Sequence, residues 1–321
     1  MIFTLKYGND DMKKILIVFT GGTIGSTVQN GWISPNQKSK YLLLETYSEH
    51  NSGVKFDTVE PYTVLSENLS AEHLNKLTDC VCDNVGKYDG IIVTHGTDTL
   101  QYSAAALSYA VGSSSPPVIL VSSNYPLDDS RANGHANFKA AVDFIKGSYG
   151  KGVYISYRNT DGNVYFHSGT NTISHREMDD CVYSLGFSNY ASYDEKSIKI
   201  NNEYPLPKIS PHGKLALIEN PQILVIDSHP ADSFDYCIDE SKAVIIKPYH
   251  SGTLNTANIN FCNFCKKCRK NNIPVYAVNI PDGVTYESSR EFEDLGITPL
   301  KNTAFCNAYI KIWIDISNNT Q

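Results

Sequence analysis

Two short runs bring hydroxyl, carboxylate and glycine together in a way that suits acyl chemistry. Thr20-Gly21-Gly22-Thr23-Ile24-Gly25-Ser26 follows an apolar, β-branched run at 15–19, and His95-Gly96-Thr97-Asp98-Thr99 follows another at 90–94. Paired glycines let a backbone approach a ligand closely and leave the neighbouring hydroxyl free to point at it. A phosphate cradle is the rival for the first run, but it has neither Gly-Lys-Ser/Thr nor the G-x-G-x-x-G spacing. In the second run a hydroxyl and a carboxylate stand at the expected start of a helix. There the helix terminus favours negative charge, and the carboxylate can hold a cationic amino group or orient a proton acceptor. Taken alone, Thr97 reads as a helix cap, Asp98 as first-turn filling and His95 as a satisfied, partly buried histidine.

The elements that must position these runs follow from periodicity. Residues 15–19, 90–94 and 118–122 read as buried strands. Between them come three helical patterns. Ser70 caps one with Leu74, Leu77, Val81 and Val85 on a single stripe, closed by Gly86; a second spans about 99–111 before Gly112; a third starts near Asn133 and stops at Gly147. Strand then helix, repeated, implies an α/β fold with a mostly parallel sheet flanked by helices. Ligands of such sheets bind where loops leave the carboxyl ends of strands, and both hydroxyl-bearing runs lie there. Pro205, Pro207 and Pro211 mark a linker over 194–213. The expected organisation is a larger domain at 1–193, that linker, and a smaller α/β domain at 214–321. The smaller domain is expected to hold strands at 214–218, 243–247 and 275–280 and a terminal helix near 304–314.

Composition excludes several classes of function. A chain of 321 residues with 41% hydrophobic and 19% charged residues is an ordinary globular protein, long enough for two cores. The net charge of −7 disfavours a nucleic-acid partner. No apolar run reaches the roughly 18 residues that cross a bilayer, and the first residues lack a secretory core, so a cytoplasmic protein with no membrane association is expected. The eight cysteines show no pairing framework. Cys262, Cys265 and Cys268 have the spacing of an iron–sulfur run, but no fourth cysteine follows nearby. The preferred reading is a helix with Ile259, Cys262 and Cys265 on one face. No cluster has zinc-site spacing, so neither metal nor cofactor is expected.

The pair T-G-G-T-I and H-G-T-D-T, about 70 residues apart in the chain, resembles the signature pair of the asparaginase/glutaminase family. Pro126 followed by Asn133-Gly134 and Asn137, and Ser66-Glu67-Asn68 ahead of a helix, are similar to further family segments. The resemblance implies an amidohydrolase that releases ammonia from L-asparagine or a related amide. By it, Thr23 is the nucleophile, Thr97 assists proton transfer and Asp98 meets the substrate's α-amino group. Ser66 and Glu67 hold the substrate's α-carboxylate and α-amino ends. Backbone amides and Thr97 stabilise the oxyanion, and Gly22, Gly96 and Trp32 complete the substrate-binding set. It also implies a homodimer or homotetramer acting on a small amino-acid amide.

The sequence departs from that family at supporting positions. Trp32 stands where the family has a mobile tyrosine, and indole covers a pocket without relaying a proton. No lysine occurs between Gly152 and Glu195, where the family carries the lysine paired with its H-G-T-D threonine; His175 and Arg176 are the candidate substitutes. Cys306 aligns with a common glutamate. The alternative reading is therefore a catalytically weakened or repurposed member that binds an amino acid or acts on another amide or ester. A third, a component supplying ammonia to aminoacyl-tRNA, expects a long domain ahead of T-G-G-T, whereas only residues 1–19 precede Thr20. The loop at 247–253 is similar to one that reaches a neighbouring subunit in the family, and is equally an ordinary strand-to-helix turn. His250 on it is read as a surface residue or a pocket residue.

Overall fold

The computed structural model describes residues 12–29, 32–35, 39–48, 53–283 and 286–320. The amino-terminal strands are β1 (Lys13–Phe19), β2 (Ser26–Gln29), β3 (Trp32–Pro35), β4 (Val54–Val59), β5 (Gly90–Thr94), β6 (Val118–Val121), β7 (Val153–Arg158), β8 (Val164–Ser168), β9 (Ala191–Tyr193) and β10 (Ile198–Ile200). Helices α1 (Ser39–Ser48), α2 (Ala71–Asn84), α3 (Leu100–Val111) and α4 (Gly134–Lys146) connect them. All of these strands but β2 and β3, which pair as a separate ribbon, form one sheet in the order β10-β9-β8-β7-β6-β5-β1-β4. From β4 to β7 the neighbours run parallel, and from β7 to β10 antiparallel.

Burial of both faces explains why the parallel strands read as unbroken apolar runs. Leu16 and Val18 of β1 join Ile91, Val93 and Leu120 in a core under α2 and α3, while Ile15, Ile17, Ile92 and Ile119 face a second core against α1 and α4. Each such aliphatic side chain contributes about 1.5–3 kcal/mol on leaving water. The expected helix ends hold: Ser70 and His73 form a reciprocal capping box at α2, Gly112 terminates α3, and Asn133 and Gly147 bracket α4.

The carboxy-terminal sheet contains β11 (Ile223–Asp227), β12 (Ala243–Lys247), β13 (Val275–Ile280) and β14 (Ile297–Lys301), all parallel and in that order. Its helices are α5 (Ile259–Lys270), the short α6 (Glu287–Arg290) and α7 (Phe292–Leu295), and α8 (Phe305–Thr320). Helix α8 runs beyond the expected 314. It joins the two sheets: Ile310 and Ile314 enter the core of α2 and α3, while Ala308 and Ile312 pack on Ala243, Ile245 and Val278.

Several expectations are corrected. Residues 214–218 form no strand. Leu215 and Leu217 are buried against the α2 and α3 core, and the Asn75 amide takes the place of a sheet neighbour, donating to the Leu217 carbonyl at 2.9 Å and accepting from its N–H at 2.8 Å. The large sheet continues past 193, because Tyr193 pairs with Ile198. The Asp and Ser read as the start of a linker make a tight turn, in which the Asp194 carboxylate accepts from the Lys196 and Ser197 amides. Helix α5 buries Phe261, Phe264, Cys265 and Cys268, whereas Ile259 faces solvent at 65% exposure. Two phenylalanines outweigh one isoleucine in choosing the inward face. No helix among the described residues is long and apolar enough to cross a membrane.

Candidate active site

Strands β1 and β5 are neighbours in register, with Phe19 opposite Thr94, so the two glycine-bearing loops leave the sheet side by side. The Thr20 hydroxyl donates to the Thr94 carbonyl at 2.6 Å and fastens them at their root. Gly21 and Gly22 have φ of 101° and 77°, left-handed values that disfavour any side chain. A Cβ on Gly22 would lie 2.3 Å from the Gly96 nitrogen, and one on Gly21 would lie 2.4 Å from the Val64 carbonyl oxygen. The T-G-G-T and H-G-T-D loops thus touch, backbone to backbone, at Gly22 and Gly96. Beyond that contact the chain turns at once: Gly25 N–H and the Ser26 hydroxyl both donate to the Gly22 carbonyl. This turn buries Ile24 and leaves Thr23 partly exposed.

A third segment closes on the same point. A Cβ on Gly96 would lie 2.4 Å from the Ser66 hydroxyl oxygen. That hydroxyl donates to the Asp98 carboxylate at 3.1 Å and accepts from the Asp98 N–H at 3.3 Å, and the Thr99 hydroxyl donates to the Ser66 carbonyl at 2.9 Å. Asp98 and Thr97 precede α3, whose cap residue is Thr99, so Thr97 is not the helix cap. Neither the Thr23 nor the Thr97 hydroxyl is tied by a hydrogen bond to another described residue. Glu67 is exposed in the turn that presents Ser66. His95 is buried between the Gly96 carbonyl and the Ser103 hydroxyl, and desolvation lowers its pKa, which fits a structural histidine. The Trp32 backbone pairs with Gln29 at the end of the β2–β3 ribbon; its side chain lies outside the described residues.

Thr97 and Asp98 open into a cavity of about 890 Å³, bounded further by Asn124, Tyr157, His175 and Arg176. Thr23, Ser66 and Glu67 do not line this cavity; they belong to the loop junction beside it. Its far wall comes from the segment after β8, which periodicity did not resolve. Asn124 was missed as a lining residue, although it follows β6 at the same distance that Thr97 follows β5. Its backbone N–H and side-chain oxygen make reciprocal hydrogen bonds with Asn133, and Asn137 binds the Ser122 carbonyl and the Arg158 N–H. The Asn133-Gly134 and Asn137 segment therefore fixes the ends of β6 and β7.

Among the described residues no lysine lines the cavity. His175 is partly buried, its ring edge-on to Tyr157 with centroids 6.3 Å apart. Desolvation lowers its pKa, opposed by the backbone of Cys181 and Thr97 and by the Asp98 and Asp179 carboxylates. Cys306, on α8, is buried and bonded to the Ser174 hydroxyl at 3.3 Å, and burial raises its thiol pKa. The Cys306 thiol is therefore neutral near pH 7. His250 and Ser251 line a separate cavity of about 990 Å³. Cys262 donates to the Thr256 carbonyl, and among the described residues no three or more His, Cys, Asp or Glu side chains gather as a metal site.

The loops that meet here lie within residues 14–206, the stretch matched by the family model described as Asparaginase, N-terminal. L-asparaginase 1 of Escherichia coli (strain K12) is 28% identical over 251 residues, covering 75% of this chain and 72% of that protein. A glutamyl-tRNA(Gln) amidotransferase component of Methanosphaera stadtmanae is also 28% identical, over 205 residues, covering 60% of this chain and 45% of its own. Among solved structures, L-asparaginase I from Vibrio cholerae O1 biovar eltor shares the fold with a TM-score of 0.79 at 22% identity, over 96% of this chain and 93% of that one. The thermostable L-asparaginase from Thermococcus kodakarensis does so with a TM-score of 0.76 at 19% identity, over 95% of each chain. With both signature loops inside the matched stretch and both sheets accounted for by the shared fold, the chain belongs to the asparaginase family.

Proposed function

We propose that the protein is an amidohydrolase that releases ammonia from L-asparagine, or a closely related amide, through a threonine nucleophile. The observation that carries this reading is the contact of Gly22 with Gly96, which sets two threonine hydroxyls on adjoining loops, with the Ser66–Asp98 pair at the same junction. The Thr23 oxygen attacks the amide carbon, the C–N bond breaks with proton transfer to the leaving nitrogen, and water then cleaves the Thr23 ester. Backbone N–H groups around Gly22 and Gly96, with the Thr97 hydroxyl, meet the developing oxyanion. Asp98 takes the substrate's ammonium, and Ser66 and Glu67 take its α-carboxylate and α-amino ends. The reading includes a cytoplasmic homodimer or homotetramer, which light scattering tests independently.

The test is ammonia release from L-asparagine by the wild type, Thr23→Ala and Thr97→Val. Thr23→Ala is expected to lose at least about three orders of magnitude in kcat. Retention of most of the activity would exclude the nucleophile. A second reading, a weakened member that binds an amino acid without turnover, is favoured by the neutral Cys306 thiol beside Ser174. Calorimetric binding of L-aspartate with no ammonia from asparagine or glutamine would select it.

A further inference from the structure

A backbone donor stabilises an oxyanion only when its direction is fixed before the reaction begins. In the loop after β5 several backbone groups are already committed. The His95 N–H donates to the Val121 carbonyl at 2.9 Å and extends the strand ladder by one residue. The Asp98 N–H is taken by the Ser66 hydroxyl, and the Thr97 carbonyl accepts from the Leu100 N–H. The Thr97 N–H makes no hydrogen bond to another described residue. A backbone donor without a protein partner beside a cavity calls for a ligand or water.

The group that aims this donor is the imidazole two residues earlier. His95 Nδ1 lies 2.8 Å from the Gly96 carbonyl oxygen, and Nε2 lies 2.8 Å from the Ser103 hydroxyl on α3. A carbonyl only accepts, so Nδ1 carries the proton. Burial lowers the pKa and keeps the ring neutral at pH 7, so Nε2 accepts from Ser103. The Gly96 carbonyl and the Thr97 N–H belong to one planar trans peptide and point in opposite directions. The carbonyl is drawn inward to a ring that is 2% exposed, so the Thr97 N–H turns outward, to the side where Thr97 borders the cavity.

We propose that His95 is a positioning residue: by holding the Gly96 carbonyl it fixes the Thr97 N–H as a donor to the oxyanion. The inference rests on the threonine-nucleophile reading above. The oxyanion forms when the Thr23 oxygen bonds to the amide carbon and the C=O electron pair moves to the carbonyl oxygen. It is discharged when that pair re-forms C=O and the C–N bond breaks. His95 touches no substrate and exchanges no proton in either step. Its contribution is the direction of one peptide plane, held from α3 through Ser103.

Asparagine and glutamine each keep half of the imidazole's bonding, which separates positioning from mere packing. The amide nitrogen of His95→Asn overlays Nδ1 and still donates to the Gly96 carbonyl. That of His95→Gln reaches the Nε2 position near Ser103 and leaves the carbonyl unheld. Both variants lose ring packing, and chemical unfolding is expected to show them similarly destabilised. In ammonia release from L-asparagine, His95→Gln should fall at least about 100-fold in kcat with KM within about threefold. His95→Asn should keep kcat within about tenfold of wild type. Two variants equally impaired, or equally active, overturn the role of His95 and leave the proposed function standing. If neither folds by circular dichroism, Ser103→Ala decides, because it removes the partner that selects the tautomer and leaves the ring in place. A fall in kcat of about tenfold or more at unchanged KM sustains the role, and any other result overturns it. No ammonia from any amide by the wild type overturns the proposed function and this inference together.

Discussion

The floor of the site and its far wall are built by different physics. The floor is backbone: Gly21, Gly22 and Gly96 bring three segments within contact, and Thr20, Ser26 and Ser66 lock them with hydrogen bonds. The wall is side chain: His175, Arg176 and Tyr157 stand on β7 and the long connection after β8, with Cys306 behind them on α8. Backbone contact at this distance tolerates no added atom, while side chains facing a cavity can be exchanged for others of similar size. Of the positions expected from the sequence to depart from the family pattern, His175 lines the wall, Cys306 stands behind it and Trp32 belongs to the ribbon after the first loop.

The severest test of this contrast is Gly22→Ala. A methyl group there meets the Gly96 backbone at 2.3 Å with φ at 77°, and neither neighbour is a flexible side-chain end. Loss of at least about 2 kcal/mol of stability and about a thousandfold in activity is expected, measured by chemical unfolding and ammonia release. Near-normal behaviour would show that the two loops are not in contact.

Ser66→Ala is a milder attack on the floor. It removes the hydroxyl bound to the Asp98 carboxylate, a hydrogen bond to a charged group worth about 1.5–3 kcal/mol. Because Asp98 is read as the anchor of the substrate's ammonium, KM should rise by about tenfold or more with a smaller change in kcat. A change confined to kcat would reassign Ser66 from substrate orientation to the chemistry itself.

The same division governs what was legible in the chain. The parallel strands, the α2 to α4 helices and the floor residues all follow from buried β-branched runs, capping residues and glycine pairs, each of which is a local signal. The wall escaped because β8 to β10 are short antiparallel strands separated by irregular chain, and their partners are set by tertiary contact. Residues 214–218 show the opposite error. Alternating Leu215 and Leu217 gave a strand signal, but their partner is the side chain of Asn75, a choice no local pattern reveals. Cys306 was placed by resemblance, yet its neighbour Ser174 is 132 residues away in the chain.

Wall and floor also respond to pH through buried histidines. His167 is held down to about 3 by burial, and His95 is lowered for the same reason. Between about pH 6.5 and 3 the unfolded chain binds protons that these folded residues refuse, so stability is complete above 6.5 and is lost as pH falls through that window. The expected loss is about 5 °C in melting temperature from pH 7 to pH 5, and His167→Gln should reduce that difference. A melting temperature that stays flat over the interval would mean that the two rings are protonated in the folded protein.

The smallest effect is expected at Cys306, and it bears most directly on the claim that the wall is exchangeable. The thiol is buried, neutral and weakly bonded to Ser174. Cys306→Ala therefore removes the sulfur's contacts with Ser174, Tyr102 and Gln101 and leaves a small void, at a cost of about 1 kcal/mol. If the thiol takes no part in proton handling, kcat should stay within about threefold of wild type with an unchanged pH profile. A large loss of kcat, or an acid limb that moves when the sulfur is removed, would place the thiol within the proton path, so that the wall could not be regarded as a set of independently replaceable side chains.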